Sequence, residues 1–280
     1  MSPRDVRFGE LVERYDLFLF DAYGVLVHGT GIMPEAPAAL DHLERKGRPY
    51  YVVTNDASKL PESAAQRYAR LGLRLDPARI LTSGALLTDH FATNGLTGRR
   101  CAVLGPPDGV RYVELAGGEV VPAREPFDVL VICDESGFDF VPTADAALTS
   151  IIRSIDAGRS VQLVLPNPDL LYPDGLDAFG FAAGSVALMF EAALARRYPH
   201  RTDLRFTPLG KPEPGLYLRA MDLANQRNAV MIGDQLETDI AGALRAGIDA
   251  ALLTTGVSLG DLAGADPAHR PTWRIASLAP

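Results

Sequence analysis

Residues 17–26 read Leu-Phe-Leu-Phe-Asp-Ala-Tyr-Gly-Val-Leu, so four apolar residues run directly into an acid and a glycine turn. Four consecutive apolar residues predict a strand that is buried on both faces, as in a parallel sheet. The turn then places the carboxylate of Asp21 at the carboxyl end of a core strand, where open α/β sheets bind their ligands. Asp21 is therefore a candidate nucleophile or metal ligand; the alternative is a surface acid in an ordinary turn.

The composition indicates a globular protein with a substantial core. The chain has 280 residues, of which 47% are hydrophobic, and a net charge of −8. An acidic chain with scattered Lys and Arg does not neutralise a run of phosphates, so a nucleic-acid partner is not expected. A small anionic substrate is compatible with this charge, because positive charge can be concentrated locally in one site.

The two cysteines and the first residues bear on the cellular compartment. Cys101 and Cys133 both lie in apolar runs, which favours reduced core thiols over a disulfide framework. The amino-terminal residues contain no apolar segment of the signal-peptide type, and no run approaches the length of a membrane span. We therefore expect a cytoplasmic protein without a membrane partner.

Strand and helix patterns alternate along the chain and predict a doubly wound, Rossmann-like parallel sheet. The apolar run 50–53 follows a helix pattern that Gly47 closes, which makes a strand-helix-strand unit with the first strand. The pattern restarts near residue 88 and the first unit resumes near residue 181. We therefore predict a core domain of residues 1–87 and 181–280, with an α/β domain of residues 88–180 inserted into it.

Polar residues follow the second predicted strand. Thr54 and Asn55 offer a hydroxyl and backbone N–H groups that can hold phosphoryl oxygens, and Asp56 follows them. The alternative is a plain turn made by Asn-Asp-Ala-Ser. Asp56 is either a substrate contact or a cap of that turn.

Acids also follow a later core strand. Residues 231–234 read Met-Ile-Gly-Asp, and Asp239 lies five residues beyond Asp234. Carboxylates at neighbouring strand ends form an oxygen-rich pocket that suits a hard cation such as Mg²⁺. Helix capping can account for Asp239 but comes too late in the chain to account for Asp234. Lys211, in Gly-Lys-Pro, precedes a helix between these units and is either a site cation or an ordinary surface lysine.

Taken in order, Asp21, Thr54-Asn55, Gly210-Lys211-Pro212 and Asp234 with Asp239 resemble the four motifs of the haloacid dehalogenase (HAD) superfamily of hydrolases. The insert after Thr54 and the segment 167–169, Asn-Pro-Asp, resemble its C2a-capped branch, which includes nitrophenyl phosphatase-like, phosphoglycolate and pyridoxal phosphate phosphatases. The resemblance spans about residues 15–260. It implies a HAD-fold core with a C2a cap, and a homodimer formed through the cap is typical of that branch.

The resemblance also implies roles for individual residues. Asp21 would accept the phosphoryl group as an aspartyl phosphate, which water then hydrolyses. Mg²⁺ would be held by the Asp21 carboxylate, the Tyr23 backbone carbonyl and Asp234, with Asp239 nearby. Thr54 and Asn55 would orient the phosphoryl oxygens, and Lys211 would offset negative charge. The implied activity is Mg²⁺-dependent hydrolysis of a small phosphorylated metabolite.

Tyr23 departs from the family pattern, in which phosphatases place a second aspartate two residues after the nucleophile as the general acid and base. Tyrosine is a poor acid and a poorer base at neutral pH, so we expect a weak phosphatase or one restricted to good leaving groups. His28, in the predicted hairpin after Gly24, is a candidate substitute, and water is another. A phosphate-ligand binding protein with impaired catalysis and a haloacid dehalogenase are the alternative functions.

Overall fold

A computed structural model describes residues 3–28, 31–173, 178–254, 266 and 269–280 of the chain. Strands and helices alternate along it, which confirms the predicted α/β fold. The strands are β1 (Arg4–Asp5), β2 (Leu17–Phe20), β3 (Val27–His28), β4 (Gly31–Ile32), β5 (Tyr50–Thr54), β6 (Ile80–Thr82), β7 (Arg100–Leu104), β8 (Glu119–Val120), β9 (Val129–Ile132), β10 (Gln162–Leu165), β11 (Leu171–Pro173), β12 (Phe179–Phe181), β13 (Thr207–Pro208), β14 (Ala229–Gly233), β15 (Asp249–Leu253) and β16 (Trp273–Ile275). The helices are α1 (Phe8–Val12), α2 (Ala36–Arg45), α3 (Pro61–Leu71), α4 (Leu86–Thr93), α5 (Pro107–Leu115), α6 (Phe140–Asp156), α7 (Ala183–Arg197), α8 (Gly215–Ala224) and α9 (Ala241–Arg245).

The first sheet contains the strand that ends at Asp21. Its order is β1-β16-β15-β14-β2-β5-β6, and all of its strand pairs are parallel. The chain runs outward from β2 through β5 to β6, and later fills the other side through β14, β15 and β16. The order of the strands therefore reverses between β2 and β14, and such a crevice is where parallel sheets bind ligands.

Alternation along β2 explains why the sheet is covered by helices on both faces. Phe18 and Phe20 pack with residues of α1, α2 and α3, whereas Leu17 and Leu19 pack with residues of α8 and α9. All four side chains are fully buried. Successive side chains of a strand point to opposite faces, so an unbroken apolar run requires a covering layer on each side.

The inserted unit is a second parallel sheet with the order β13-β10-β9-β7-β8. Residues of α6 and α7 cover one face, and residues of α4 and α5 cover the other. The sequence assigned residues from 181 onward to the first unit, whereas α7 packs on the second sheet and β13 extends it. Helical periodicity reveals an apolar face but does not identify the sheet that will cover it, which is why the sequence alone did not place α7.

Three further features of the sequence can be located in the structure. Cys101 and Cys133 are buried free thiols. Strands β3 and β4 form an antiparallel pair after Gly24, within the predicted hairpin, of which residues 29 and 30 lie outside the described residues. Across the ranges given above, the structure shows no helix with both the length and the apolar character needed to cross a membrane.

Candidate active site

A cavity of about 630 Å³ lies where the first sheet faces the inserted unit. Seven of the eight predicted site residues line it, and the eighth, Asp239, is fully buried beside them. The lining residues among those predicted are Asp21, Tyr23, Thr54, Asn55, Asp56, Lys211 and Asp234. Motifs that are up to 213 positions apart in sequence thus meet in one place.

Three neighbouring strands bring the polar residues together. Phe20 of β2 pairs with Ile232 of β14, and the Asp21 amide donates a hydrogen bond to the Ile232 carbonyl oxygen at 3.0 Å. Asp234 follows β14 directly, and Thr54 is the last residue of β5 on the other side of β2. Since the three strands are parallel, their carboxyl ends meet at one edge of the sheet.

Lys211 is the cation of the cluster, and it is 3% exposed. Its Nζ donates hydrogen bonds to Asp21 Oδ1 at 2.5 Å and to Asp239 Oδ1 at 2.6 Å. Burial lowers the pKa of Lys211, but the charges of Asp21 and Asp239 outweigh this effect and hold the pKa well above its usual value. Lys211 is buried between two carboxylates, which favours its ammonium form and excludes its interpretation as an ordinary surface lysine.

Asp21 lies in an environment that disfavours its ionised form. Burial raises the pKa of its carboxyl well above the usual value, Lys211 offsets part of this rise, and the charges of Asp239 and Asp234 add to it. Three buried carboxyls with one ammonium group leave a formal charge of −2 when all are ionised. A divalent cation in this place would balance that charge.

The donor atoms fit such a cation. Carboxylate oxygens of Asp21, Asp234 and Asp239 all lie within 4.8 Å of one another. Gly24 has a φ of +91° and lies directly against Asp234, so any side chain at this position would overlap the carboxylate. An all-oxygen set of carboxylates suits a hard cation such as Mg²⁺.

Asp239 differs from the other two carboxylates in its hydrogen bonds. Its Oδ1 accepts from Lys211, and its Oδ2 accepts from the backbone amides of Asp234 at 3.1 Å and Gln235 at 3.2 Å. Gly233 lies so close to Asp239 that a side chain there would overlap it. These contacts favour Asp239 as the residue that fixes Lys211 and the Asp234 loop.

Thr54 is placed as a hydrogen-bond donor. It is buried, and its Oγ1 accepts a hydrogen bond from the Asp56 amide at 3.2 Å. The hydroxyl proton of Thr54 is therefore available to an oxygen atom in the cavity, because the amide already uses an acceptor position. This geometry suits a phosphoryl oxygen.

Asn55 and Asp56 use their side chains within the protein. Asn55 Oδ1 accepts from the Lys211 amide at 2.7 Å, and its Nδ2 donates to the Lys211 carbonyl at 3.0 Å and to Asp169 Oδ1 at 2.8 Å. Asp56 Oδ1 accepts from the amide and hydroxyl of Ser58, each at 2.7 Å, and its Oδ2 accepts from Lys59 at 3.3 Å. Asn55 thus ties the Lys211 loop to the inserted unit, and Asp56 caps its own turn. The predicted substrate contacts of both residues stay predictions.

Tyr23 turns its side chain toward α3. Its hydroxyl accepts a hydrogen bond from Arg67 Nε at 3.2 Å, and its ring lies 6.5 Å from that of Tyr68. His28, the candidate substitute, is exposed on β3 and is not among the residues that line the cavity. No sequence pattern pointed to Arg67, because the contact depends on how α3 packs beside β2.

The inserted unit also contributes acids to the cavity that sequence reasoning missed. Asp134 and Glu135 follow β9, and both line the cavity together with Asp169. A signal for the first two was present, since acids directly after an apolar strand are the same pattern that identified Asp21.

Two family profiles match separate parts of the chain. The profile of the family described as haloacid dehalogenase-like hydrolase matches residues 18–119, and that described as HAD-hydrolase-like matches residues 208–280. An acid sugar phosphatase of Staphylococcus aureus (strain MRSA252) is 26% identical over 249 residues, which cover 88% of this chain and 89% of that protein.

Two solved structures are similar over nearly the whole chain. A possible sugar phosphatase of the HAD superfamily from Cytophaga hutchinsonii has a TM-score of 0.85 and 29% identity, and covers 100% of this chain and 99% of its own. A glycerol phosphate phosphatase from Mycobacterium tuberculosis in complex with magnesium has a TM-score of 0.80 and 25% identity, and covers 95% and 77%. The chain therefore belongs to the haloacid dehalogenase superfamily of hydrolases.

Proposed function

We propose that the protein is a Mg²⁺-dependent phosphohydrolase of a small phosphorylated metabolite that works through an aspartyl phosphate on Asp21. The observation that carries the proposal is the buried cluster of Asp21, Lys211 and Asp234 at the edge of the cavity. Sugar phosphatases and a glycerol phosphate phosphatase among the similar proteins support a phosphorylated polyol or sugar as the substrate class.

Catalysis of phosphoryl transfer depends mostly on positioning and charge neutralisation. Different residues of the cavity would supply each of these. A carboxylate oxygen of Asp21 attacks phosphorus while the leaving oxygen departs. The Thr54 hydroxyl and the Asn55 backbone amide hold phosphoryl oxygens, and the Lys211 ammonium offsets the charge that accumulates between Asp21 and the phosphoryl group.

The metal site would be formed by the carboxylates of Asp21 and Asp234, with the Tyr23 backbone carbonyl as a predicted third ligand. A bound Mg²⁺ supplies charge neutralisation at the nucleophile and at a phosphoryl oxygen. Asp239 would position the other groups, because it accepts hydrogen bonds from Lys211 and from the Asp234 amide.

A phosphate-release assay with and without metal tests the proposal. We expect release from 4-nitrophenyl phosphate, glycerol phosphate or a sugar phosphate in the presence of Mg²⁺, and loss of this activity in EDTA that returns when Mg²⁺ is added back. Halide release from a 2-haloacid in EDTA would instead indicate a dehalogenase. Tight binding of Mg²⁺ and phosphate with no turnover of any ester would indicate a binding protein.

Because Tyr23 stands where an aspartate is expected, comparing substrates with different leaving groups tests whether the site has a proton donor. A missing proton donor slows the departure of an alkoxide far more than that of nitrophenolate, which needs no proton. The expectation of a weak or restricted phosphatase stays a prediction, and the ratio of the rates on 4-nitrophenyl phosphate and glycerol phosphate measures it. A ratio near one would show that some group in the cavity delivers a proton.

We also propose that a second copy of the chain covers the β11–β12 hairpin of the cap. This hairpin exposes apolar side chains, of which Phe181 is 72% exposed and Phe179 53% exposed. We expect light scattering of the wild-type protein to give the mass of a dimer and that of Phe181→Asp to give a monomer. Leu223→Asp, which changes an apolar residue on α8 that is 55% exposed, is the control and should remain dimeric.

A further inference from the structure

Hydrolysis of an alkyl phosphate needs a proton for the leaving oxygen. The aspartate that resembling phosphatases use for this purpose is absent from the first sheet of this protein. Tyr23 occupies the position two residues after Asp21, and its hydroxyl accepts a hydrogen bond from the Arg67 guanidinium. Tyrosine is a poor general base at neutral pH, so the activation of water in the second half of the reaction calls for another group. The remaining acids of the cavity are therefore the candidates.

Most carboxyl groups that line the cavity outside the metal cluster are already used by the fold. Asp56 accepts three hydrogen bonds within its turn. Asp134 Oδ1 accepts from the amide of Ser136 at 2.9 Å and from its hydroxyl at 2.6 Å, and Asp169 Oδ1 accepts from Asn55. Each of these contacts holds a loop in place. Burial raises the pKa of Asp169, as it does that of Glu135, but the Asp169 carboxylate is held by the Asn55 amide that also binds the Lys211 carbonyl.

Glu135 is the exception. It lies on the loop after β9 of the cap, it is half-buried, and it lines the same cavity as Asp21. In the part of the chain that the structure describes, no Lys, Arg or His nitrogen lies within 4.0 Å of its carboxylate. Its side chain is thus a carboxyl on the cap side of the cavity without a fixed ionic partner.

The surroundings of Glu135 favour its protonated form near neutral pH. Burial raises its pKa to about 7, and the charge of Asp134 on the same loop adds to the rise. From the facing loop of the first unit, Lys59 lowers the pKa and Asp56 raises it. The other charged side chains on the cavity wall are Asp21, Arg67, Arg70, Asp169, Lys211 and Asp234.

We propose that Glu135 is the general acid and base of the reaction, delivered by the cap in place of the aspartate that Tyr23 replaces. This inference rests on the proposed phosphohydrolase function. In the first step the Asp21 oxygen forms a bond to phosphorus, the bond from phosphorus to the leaving oxygen breaks with its electron pair, and the Glu135 carboxyl gives that oxygen its proton. In the second step the Glu135 carboxylate takes a proton from water, the water oxygen bonds to phosphorus, and the electron pair of the Asp21–phosphorus bond returns to Asp21.

The step predicts an effect that depends on the leaving group. Glu135→Gln is expected to lower kcat for glycerol phosphate by about 10²- to 10⁴-fold, the usual contribution of a general acid. The same variant should hydrolyse 4-nitrophenyl phosphate within about tenfold of wild type in the first half-reaction, measured as the burst of nitrophenolate, because nitrophenolate leaves without a proton. Burst and steady-state rates of both substrates, with Mg²⁺ present, make the measurement.

The pH profile provides a second readout. Since Glu135 is the acid below its pKa and loses its proton above it, kcat/KM for glycerol phosphate in the wild type should fall on the alkaline side of about pH 7. That limb should be absent from Glu135→Gln. Asp134→Asn is the matched control, because asparagine keeps the oxygen that accepts from Ser136. It should retain activity and shift the limb to lower pH, since the charge that raises the pKa of Glu135 is gone.

Three outcomes overturn the inference. One is an equal loss on both substrates in the burst phase, another is no loss on glycerol phosphate, and the third is a rise in KM at unchanged kcat, which would show binding alone. If the wild type releases phosphate from neither ester, the proposed function itself fails, which is distinguishable from failure of the role of Glu135. The melting temperatures of both variants, compared with wild type, separate loss of folding from loss of chemistry.

Discussion

Replacement of Asp21 by asparagine is expected to lower phosphate release by at least ~10³-fold while leaving the fold intact. The amide of asparagine has the shape of the carboxyl but lacks the carboxylate oxygen that would attack phosphorus to form the aspartyl phosphate. Lys211 keeps Asp239 as its partner in this variant, so no buried charge is left alone. The measurement is phosphate release from 4-nitrophenyl phosphate with Mg²⁺, together with the melting temperature.

Two further variants make this result specific to the nucleophile. Asp21→Glu keeps the negative charge but places the carboxylate one methylene farther from the backbone, and it should be nearly as inactive, because phosphoryl transfer depends on position. Asp16→Asn changes the aspartate that directly precedes the same strand and pairs with Arg48 at 2.5 Å on the far side from the cavity. It should retain wild-type activity. Turnover in Asp21→Asn above about one per cent of wild type would remove Asp21 from the role of nucleophile.

The sheet was predictable because its strands are short apolar runs that end in small polar residues. The run at 17–20 requires cover on both faces, and the structure supplies it through two separate clusters. The acids after two of these runs were expected to lie at neighbouring strand ends, and the structure gives the order β14-β2-β5. Asp21, Thr54 and Asp234 meet because β2, β5 and β14 are parallel neighbours whose carboxyl ends share one edge of the sheet.

The remaining parts of the site depend on contacts that no local pattern records. Arg67 reaches Tyr23 only because α3 packs beside β2, and Asn55 ties Lys211 to Asp169 across the boundary of the two units. The placement of α7 on the second sheet has the same cause. Sequence patterns indicate which residues are buried or polar, whereas the partners of long side chains are decided by packing.

Asp239 has a structural role that its place in the sequence motif does not reveal. The sequence placed it with the metal ligands, and its oxygens do lie within reach of those of Asp21 and Asp234. Its hydrogen bonds to one ammonium group and two backbone amides show that it also fixes the geometry of the other members. Removal of any one charge from this cluster therefore leaves the remaining buried charges without full neutralisation.

Replacement of Lys211 by methionine tests this neutralisation. It is expected to abolish activity and to lower the free energy of unfolding. Methionine fills a similar volume but leaves Asp21 and Asp239 without a cation, and breaking a buried ion pair in this way costs about 3–5 kcal/mol. Urea unfolding in EDTA, followed by the fluorescence of Trp273, measures the loss. Trp273 is the single tryptophan of the chain and is buried in β16 of the first sheet.

The loss of stability in Lys211→Met should be larger at high pH than at low pH. Burial already raises the pKa of Asp21 in the wild type, and loss of the ammonium group removes the charge that offsets this rise. The folded variant then binds more protons than the unfolded chain, so its free energy of unfolding falls as the pH rises through the folded-state pKa. We expect a larger loss relative to wild type at pH 8 than at pH 5, and added Mg²⁺ should restore part of it at pH 8.

A double variant separates charge from packing. Adding Asp21→Asn to Lys211→Met removes one of the two unpaired carboxylates, so the double variant should be more stable at pH 8 than Lys211→Met alone. Lys46→Met is the surface control, because Lys46 pairs with Glu13 in solvent and such pairs contribute little. If Lys211→Met lost the same stability at both pH values and Asp21→Asn gave no recovery, the loss would come from packing around the side chain. The ion pairs of Lys211 would then not be what stabilises this edge of the sheet.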